Sequence, residues 1–338
     1  RVRAMAAPMP DLSPEDLTAA LKDKAKKKVT RVRKRRLQTL WAGYGAVNEL
    51  ELDPLKLKLI EKIVQPPDGD GSVSHERKIK SYDVEADFYR HVAPRARTKG
   101  IKIPEPFLVD GSGKGLRILM GDLREEFPSC PSSHNEKQAL ASLSWLAKFH
   151  GHFMGAVPEC CSSWPAGTYW RLETRWEEWE DIRASSNWSE LKAMASALDA
   201  TLASAASSDV GTLVHGDFKA ANIQISSDGE GVGALDFQYC GRALGAKDVA
   251  YYLASSVENS LVSLKEEKLL RHYHAALIKE CNVTTYSFEA FFSHFELSLL
   301  DYVRFMAGWG FWGNVQWAQE RAKRIIAARG AELMAAYA

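Results

Sequence analysis

Three side chains in the second half of the chain have the types and the spacing that phosphoryl transfer requires. His215, Asp217 and Asn222 follow the pattern His-x-Asp-x-x-x-x-Asn. A further carboxylate, Asp236, stands in an apolar run later in the chain. Transfer of the γ-phosphoryl group of ATP needs a carboxylate near the acceptor hydroxyl and two oxygen ligands for magnesium. The four residues together predict a kinase.

Each of these residues has a predicted role. Asp217 is the candidate catalytic base, which accepts the proton of the attacking hydroxyl. Asn222 and Asp236 are the candidate magnesium ligands, because Mg2+ prefers hard oxygen donors. His215 is expected to serve the catalytic loop by fixing it through hydrogen bonds. Lys219 completes the catalytic candidates: it either neutralises charge on the transferred phosphoryl group or is an exposed loop lysine.

A small sheet followed by a helical region is expected to position these residues. At 338 residues with 46% hydrophobic content, the chain is long enough for two packed lobes. Alternation and turn residues predict strands over 29–41, 47–52, 57–64, 107–110 and 116–120. Ser13 predicts a helix start, and further helices are predicted around 79–89 with Pro94 beyond the end, over 136–154, 170–184 and 191–205, and from 246 onward. We expect a polar and basic leader at 1–28, an N-lobe at 29–122 and a helical C-lobe at 123–338.

The loop at 215–222 and the run Leu-Asp-Phe-Gln at 235–238 resemble the aminoglycoside phosphotransferase and choline kinase superfamily. The Lys-Ala-Ala-Asn end of the loop is similar to the ecdysteroid-kinase-like branch. The resemblance implies an α+β, bilobal, protein-kinase-like fold, with a small antiparallel sheet and one main helix followed by a larger helical lobe. It also implies an ATP-dependent enzyme that phosphorylates a hydroxyl group of a small molecule. Asp248 would brace the catalytic loop, and Gln238, where protein kinases have glycine, argues against an activation-loop switch.

The nucleotide half of such a site needs a lysine on the third strand and a helix glutamate that orients it. Lys62 lies among apolar neighbours in the third predicted strand, and Lys56 and Lys58 are weaker competitors. Glu85 falls on the apolar stripe of the following helix, where an unpaired buried carboxylate would be costly. A pair with Lys62 would explain its position; the alternative is a solvated helix glutamate.

Two glycines, Gly43 and Gly45, occupy the place of the phosphate-binding loop of kinases. Asn48 stands where a third glycine would complete G-x-G-x-x-G, and a plain hairpin explains the two glycines almost as well. The segment at 119–123 resembles the hinge whose backbone pairs with adenine, on position alone. Its candidate nucleotide-binding residues are Met120, Asp122 and Leu123.

Large aromatic residues in the helical region could form a wall of the acceptor site or a cage for a cationic amine. The alternative is helix-packing core. These residues are Tyr169, Trp170, Trp176, Trp179, Tyr302, Trp309, Phe311, Trp312 and Trp317. Gly308, Gly310 and Gly313 are unfavourable inside a helix and predict a shaped loop at the acceptor site. Asp301 and Arg304 are nearby polar candidates, and the expected partner is a hydroxyl-bearing small molecule, either amine-containing or apolar.

Charge and cysteine content bear on the other function classes. Residues 22–36 hold ten basic residues and one acid, which is compatible with binding nucleic acid or anionic lipid but is more typical of a solvated face. Five cysteines without a C-x-x-C pair favour a reducing compartment. No apolar run approaches the ~18 residues of a membrane span, and the N-terminus lacks the apolar core of a secretory signal. A cytoplasmic location is expected, with organelle import still open.

Two alternatives come from other classes. A pseudokinase would bind nucleotide or a partner protein without catalysis, although pseudokinases commonly lack the base or a metal ligand, and all three residues are present here. A nucleic-acid-binding adaptor would use the basic segment at 22–36 and would show a steep dependence of binding on salt.

Overall fold

The computed structural model describes residues 9–24, 27–69, 71–158, 166–183, 185–283 and 285–335. The chain divides into two compact units, Arg1–Glu125 and Glu126–Ala338. The first unit carries a five-stranded antiparallel sheet, and the second is mostly helical. This composition confirms the predicted α+β class.

The sheet of the first unit has the strand order β1-β2-β3-β5-β4, and its first three strands form an antiparallel meander. Its strands are β1 (Arg31–Thr39), β2 (Gly45–Asp53), β3 (Leu57–Val64), β4 (Pro106–Ser112) and β5 (Gly115–Gly121). β3 lies between β2 and β5, so that Lys62 is opposite Val47 on one side and Ile118 on the other. The central strand therefore places Lys62 among apolar neighbours, as its sequence context suggested.

A short helix, α1 (Pro14–Leu21), packs against this sheet. It begins at the predicted Ser13, whose side chain accepts a hydrogen bond from the backbone of Asp16, while the Asp16 carboxylate accepts one in return. Leu17 and Leu21 are buried in one apolar cluster with sheet residues that include Leu59. The segment before the sheet thus contributes to the core of the first unit.

The main helix of the first unit is α2 (Val73–Asp87), which continues through a π-helical turn (Phe88–Val92) into α3 (Ala93–Thr98). The prediction that Pro94 lies beyond the end of this helical segment is therefore wrong. Pro94 lies in the first turn of α3, directly after the π-helical turn.

Among the described residues, the second unit contains four long helices and several short ones. They are α4 (Glu136–Phe153), α5 (Trp176–Glu180), α6 (Ser189–Ala193), α7 (Ala195–Ala206), α8 (Ala246–Ser256), α9 (Asn259–Glu280), α10 (Phe288–Trp309) and α11 (Val315–Ala335). Two small antiparallel sheets interrupt the helices: β6 (Gly211–Val214) with β9 (Gly241–Leu244), and β7 (Ile223–Ile225) with β8 (Val232–Ala234). These strands carry the loops that hold Asp217 and Asp236.

The predicted helix over 170–184 is wrong. This segment forms a 3-10 turn at Leu172–Arg175 and then only the five residues of α5. The carbonyl oxygen of Tyr169 accepts bonds from the Thr174 hydroxyl and the Arg175 guanidinium, and that of Trp170 accepts one from Arg304. Side chains thus use the carbonyl groups that a longer helix would have needed.

Gly308 does not lie in a loop, contrary to the prediction of a shaped loop among the last aromatic residues. It lies inside α10, where a Cβ atom would overlap the carbonyl oxygen of Glu178. Glycine therefore permits α10 to pack closely on α5. The helix ends two residues later at Gly310, whose φ of +116° suits glycine.

Acidic partners face much of the basic segment at 22–36. Arg33 pairs with Glu51 at 2.8 Å and Arg35 with Glu49 at 3.0 Å, both across the β1–β2 ladder. Such pairing favours the interpretation of this segment as a solvated strand face. In the described ranges, no helix combines the length and the apolar character needed to cross a membrane.

Candidate functional site

The loop at 215–222 connects β6 to β7 through a tight turn. Gly216 has a φ of +82°, and a Cβ atom there would overlap the carbonyl oxygen of Tyr239. The loop closes with a 3-10 turn at Ala220–Asn222. Glycine is therefore required at position 216 for the chain to bring His215 and Asp217 to the same buried place.

His215 fixes this loop from a fully buried position. Its Nδ1 atom accepts a hydrogen bond from the backbone N–H of Asp217 at 3.2 Å, so Nε2 carries the proton and donates to the carbonyl oxygen of Leu235 at 3.1 Å. Burial lowers the pKa of His215, which keeps the ring neutral near pH 7. The imidazole therefore links the loop of Asp217 to the segment that carries Asp236.

Asp248, at the start of α8, braces the same loop. Its carboxylate accepts the backbone N–H of His215 at 2.6 Å and that of Gly216 at 2.9 Å. His150 Nε2 lies 3.0 Å from the same carboxylate, and its Nδ1 lies 2.8 Å from the hydroxyl of Tyr273. These contacts agree with the bracing role inferred for Asp248. The sequence could not indicate that His150 and Tyr273 support Asp248, because these two residues lie on α4 and α9, far from Asp248 in the chain.

Three donors converge on the carboxylate of Asp217. Lys219 Nζ donates to Oδ2 at 2.9 Å, and Asn222 Nδ2 donates to the same oxygen at 3.1 Å. The hydroxyl of Tyr251 donates to Oδ1 at 2.9 Å. The structure thus brings three of the sequence-predicted residues together and adds Tyr251 to them. The sequence offers one signal for Tyr251: it follows Asp248 by three positions on a helix, which places both on one face.

Lys219 is oriented by Asp217. Burial opposes its charged form, but the neighbouring carboxylate outweighs that effect and raises the pKa of Lys219. The lysine is therefore charged at neutral pH and directed at Asp217. The alternative of an exposed loop lysine does not describe these contacts.

The β7–β8 hairpin brings Asn222 and Asp236 to neighbouring positions. Asn222 immediately precedes β7, and the N–H of Leu235, next to Asp236, donates to the Asn222 carbonyl at 3.0 Å. The Asn222 amide nitrogen is used by Asp217, so its oxygen is the atom that suits a cation. Asp236 has a φ of +68°, rare for a residue with a side chain, and its Oδ1 accepts a bond from Gln238 at 2.6 Å.

This donor set suits magnesium rather than a softer metal. An amide oxygen and a carboxylate are hard ligands, and Mg2+ usually takes only one or two carboxylates from a protein. Among the residues that the structure describes, no group of three or more His, Cys, Asp or Glu side chains is placed to hold a metal ion.

In the first unit, Lys62 and Glu85 form a buried ion pair. Lys62 Nζ on β3 lies 2.6 Å from Glu85 Oε2 on α2, and the two residues are 5% and 1% exposed. Lys58 is exposed, and Lys56 lies in the turn before β3. The pairing that the sequence suggested is present, and the solvated alternative for Glu85 is excluded.

The two glycines of the first turn differ in what requires them. Gly43 has a φ of +74° and open space around its Cβ position, whereas a Cβ at Gly45 would overlap the carbonyl oxygen of Ile63. Asn48, at the place of a third glycine, lies inside β2 and donates to Glu61 at 3.1 Å. The hairpin alone thus accounts for Gly45, while Gly43 leaves room beside the turn.

The candidate hinge begins where β5 ends. Met120 is buried in that strand, and Leu123 begins a 3-10 turn. The carboxylate of Asp122 accepts the backbone N–H of Arg124 at 2.9 Å and pairs with its guanidinium, which also reaches Glu49 at 2.6 Å. The Asp122 side chain therefore holds the turn, and only backbone groups of this segment remain candidates for binding a base.

The aromatic residues of the second unit form several groups rather than one wall. Tyr251 is surrounded by the rings of Tyr169, Trp170, Tyr302 and Trp312, at centroid distances of 4.7 to 6.0 Å. The remaining aromatic residues make other contacts. Trp309 stacks on Phe305, Trp176 packs on Trp179 and Phe311 packs on Trp188, and Trp317 donates a hydrogen bond to Glu266 on α9.

The polar candidates Asp301 and Arg304 are not exposed to a ligand. Both are fully buried, 2.8 Å apart, and Asp301 also pairs with Lys247 at 3.0 Å. Their prediction as acceptor-site residues is wrong, because helix packing turns this face of α10 toward α8.

Arg175 lies among the aromatic rings, a position that no sequence pattern indicated. Its guanidinium carbon is 5.3 Å from the ring centre of Tyr169, 5.4 Å from that of Phe305 and 5.0 Å from that of Trp309. Glu178 pairs with it at 2.8 Å. The protein therefore supplies its own cation to these three ring faces.

Two solved structures share this fold over nearly the whole chain. The microcompartment-associated aminopropanol kinase superimposes with a TM-score of 0.51 at 16% identity, covering 94% of this chain and 100% of that chain. Choline kinase from Cryptosporidium parvum Iowa II gives a TM-score of 0.52 at 9% identity, covering 96% and 99%. Identities this low show the fold alone, and no curated protein matches the chain significantly.

The sequence model of the phosphotransferase enzyme family matches residues 72–281. This match spans more than half of the chain and includes Glu85, the loop at 215–222 and Asp248. The fold, the loop and the match agree with the resemblance found in the sequence. The chain is therefore an enzyme that belongs to the phosphotransferase enzyme family.

Proposed function

We propose that this enzyme transfers the γ-phosphoryl group of ATP to a hydroxyl group of a small metabolite. The observation that carries the proposal is the convergence of Lys219, Asn222 and Tyr251 on the carboxylate of Asp217. Donors held in this way orient a carboxylate, and phosphoryl transfer depends mainly on positioning and on neutralisation of charge. The same loop ends at an amide oxygen that suits Mg2+.

The proposed mechanism assigns one task to each group. Asp217 accepts the proton of the acceptor hydroxyl and holds that hydroxyl in line. Asn222 and Asp236 would hold magnesium, which would screen the charge of the phosphate oxygens. Lys219 contributes positive charge beside the transferred group, and His215 keeps the loop in place. Each of these tasks stays a proposal for this chain.

The first unit would bind the nucleotide. Lys62, oriented by Glu85, would contact the α- and β-phosphates. Gly43 and Gly45 would let the turn approach the phosphates, and backbone groups of the hinge at Met120, Asp122 and Leu123 would pair with adenine. The proposed lobes extend over 29–122 and 123–338, and 1–28 is the proposed leader. Membership of the ecdysteroid-kinase-like branch stays a prediction.

For the acceptor, the position of Arg175 favours a neutral, apolar molecule over a cationic amine. A cation cage needs open ring faces. The guanidinium of Arg175 already lies over Tyr169, Phe305 and Trp309. Trp309, which is 56% exposed, would then offer its remaining surface to an apolar group.

The experiment that tests the proposal compares Asp217→Ala with the exposed control Asp209→Ala. We expect Asp217→Ala to abolish ADP release in a screen of hydroxylated metabolites, while binding of a fluorescent ATP analogue stays close to wild type. Asp209→Ala should retain both properties. Full activity of Asp217→Ala would contradict the proposed mechanism. Nucleotide binding by the wild type without turnover on any acceptor would instead favour the pseudokinase.

A further inference from the structure

Tyr251 contacts the proposed base from a fully buried position on α8. Its hydroxyl donates to Asp217 Oδ1 at 2.9 Å. Its ring is enclosed by Trp170 at 4.7 Å and Tyr302 at 5.4 Å, so its rotamer is fixed by packing. A donor that cannot move holds its acceptor in one orientation.

The bonds to Asp217 can be counted by oxygen atom. A carboxylate has about four lone-pair positions, two on each oxygen. Lys219 and Asn222 both donate to Oδ2, whereas Oδ1 receives Tyr251. Among the residues that the structure describes, no second donor takes the other acceptor position of Oδ1, beside the phenol of Tyr251.

We infer that Tyr251 is a positioning residue, which holds Asp217 so that the remaining acceptor position of Oδ1 meets the incoming hydroxyl. The inference rests on the proposed role of Asp217 as the base and adds to it the atom at which the acceptor binds. In this arrangement Tyr251 acts through its hydrogen bond to Asp217.

A second tyrosine extends the arrangement. The hydroxyl of Tyr169 lies 3.5 Å from that of Tyr251, toward which it can donate. Burial, together with the nearby negative charge of Asp217, raises the pKa of both phenols, so each keeps its proton as a donor. Tyr169, Tyr251 and Asp217 thus form a chain of hydrogen bonds in series.

The test removes one hydroxyl at a time and uses MgATP with water as the acceptor, measured as ADP release by the full-length protein. Tyr251→Phe should lower kcat by between about tenfold and a hundredfold, the range for losing a hydrogen bond to a charged group. The Kd for a fluorescent ATP analogue should stay unchanged. Tyr252→Phe is the matched control: this neighbouring buried tyrosine bonds to His134 at 2.7 Å, and its loss should leave kcat unchanged.

A double-mutant cycle separates positioning from packing. Tyr169→Phe should lower kcat by a smaller factor, and the Tyr169→Phe/Tyr251→Phe double variant should equal Tyr251→Phe alone, because the hydroxyls act in series. A wild-type kcat in Tyr251→Phe, an equal loss in Tyr252→Phe, or fully additive losses would overturn the inference. If Asp217→Ala keeps full activity, the proposed function fails as well; if only Tyr251→Phe is normal, the function stands without this inference.

Discussion

At the scale of single residues, Lys62 and Glu85 form a buried ion pair in the first unit whose role needs an explanation. A buried ion pair adds little net stability, because desolvation offsets most of the attraction between the charges. A lysine and a glutamate kept at 2.6 Å inside the β3–α2 interface therefore indicate a role other than stability. Nucleotide binding is the role that we propose for the pair.

This residue pair gives a prediction about stability and binding. Lys62→Met removes the cation that offsets the buried charge of Glu85, so we expect a loss of about 3 to 5 kcal/mol in the free energy of unfolding. The double variant Lys62→Met/Glu85→Met should recover much of that loss, because it removes the buried carboxylate as well. Neither variant should bind ATP as the wild type does. Thermal unfolding and the Kd for a fluorescent ATP analogue measure the two effects.

Lys58→Met provides the matched control on the same strand, because Lys58 is exposed. It should leave unfolding temperature and nucleotide affinity near wild type. Wild-type ATP affinity in Lys62→Met would remove this lysine from the proposed nucleotide site.

At the scale of elements, the contact between α5 and α10 shapes the proposed acceptor side. Gly308 permits the close approach of the two helices, and Arg175 at the start of α5 then reaches the rings of Phe305 and Trp309 on α10. The sequence predicted helices from 246 onward, but it could not foresee Arg175 beside α10. That position depends on the packing of α5 against α10, which joins residues distant in the chain.

The arrangement of these elements predicts a preference between two acceptors of the same shape. Choline and its neutral carbon analogue 3,3-dimethylbutan-1-ol both carry one primary hydroxyl. We expect the neutral alcohol to stimulate ADP release at lower concentration than choline, because Arg175 occupies the ring faces that would attract a cation. Initial rates against concentration for each alcohol give the comparison.

Substitution of Arg175 tests whether this residue causes the preference for the neutral alcohol. Arg175→Gln should narrow or reverse the preference, whereas Arg242→Gln, a partly exposed arginine on β9, should not change it. A clear wild-type preference for choline would contradict the neutral-acceptor proposal, while leaving the proposed role of Asp217 intact.

At the scale of the whole molecule, buried histidines make the stability of the fold depend on pH. Burial lowers the pKa of His134 to about 4, and it lowers the pKa of His215 in the same direction. The ordinary histidine pKa of 6.5 applies to the unfolded chain, so between pH 6.5 and about 4 the unfolded chain binds more protons than the folded protein. Stability is therefore complete above pH 6.5 and is lost as the pH falls below it.

We expect His134 alone to account for about 2 kcal/mol of lost stability at pH 5, from 1.4 kcal/mol for each pH unit below 6.5. Thermal unfolding at pH 7 and at pH 5 measures the loss. His134→Gln should show a smaller difference between the two pH values than the wild type. The exposed His91→Gln should keep the wild-type difference. An unchanged difference in His134→Gln would show that other groups dominate the acid sensitivity.

The sequence by itself determined the class of fold and supplied the candidate residues for the proposed chemistry. The spacing of His215, Asp217 and Asn222 reflects a local loop, and the alternation in β1, β2 and β3 reflects neighbouring contacts along each strand, so both can be read without coordinates. Lys62 and Glu85 could be paired in advance because a buried charge needs a partner of opposite charge. These features depend on short-range chemistry.

The tertiary structure alone decided which distant groups meet. Tyr251 on α8 reaches Asp217, His150 on α4 reaches Asp248, and Tyr273 on α9 reaches His150. Arg175 lies among rings that α10 supplies, and Asp301 with Arg304 turns inward to Lys247. The face that a helix presents depends on the packing of its neighbours, which no local pattern records. The contact of Tyr251 with Asp217 and the position of Arg175 among the aromatic rings are therefore properties of the folded molecule.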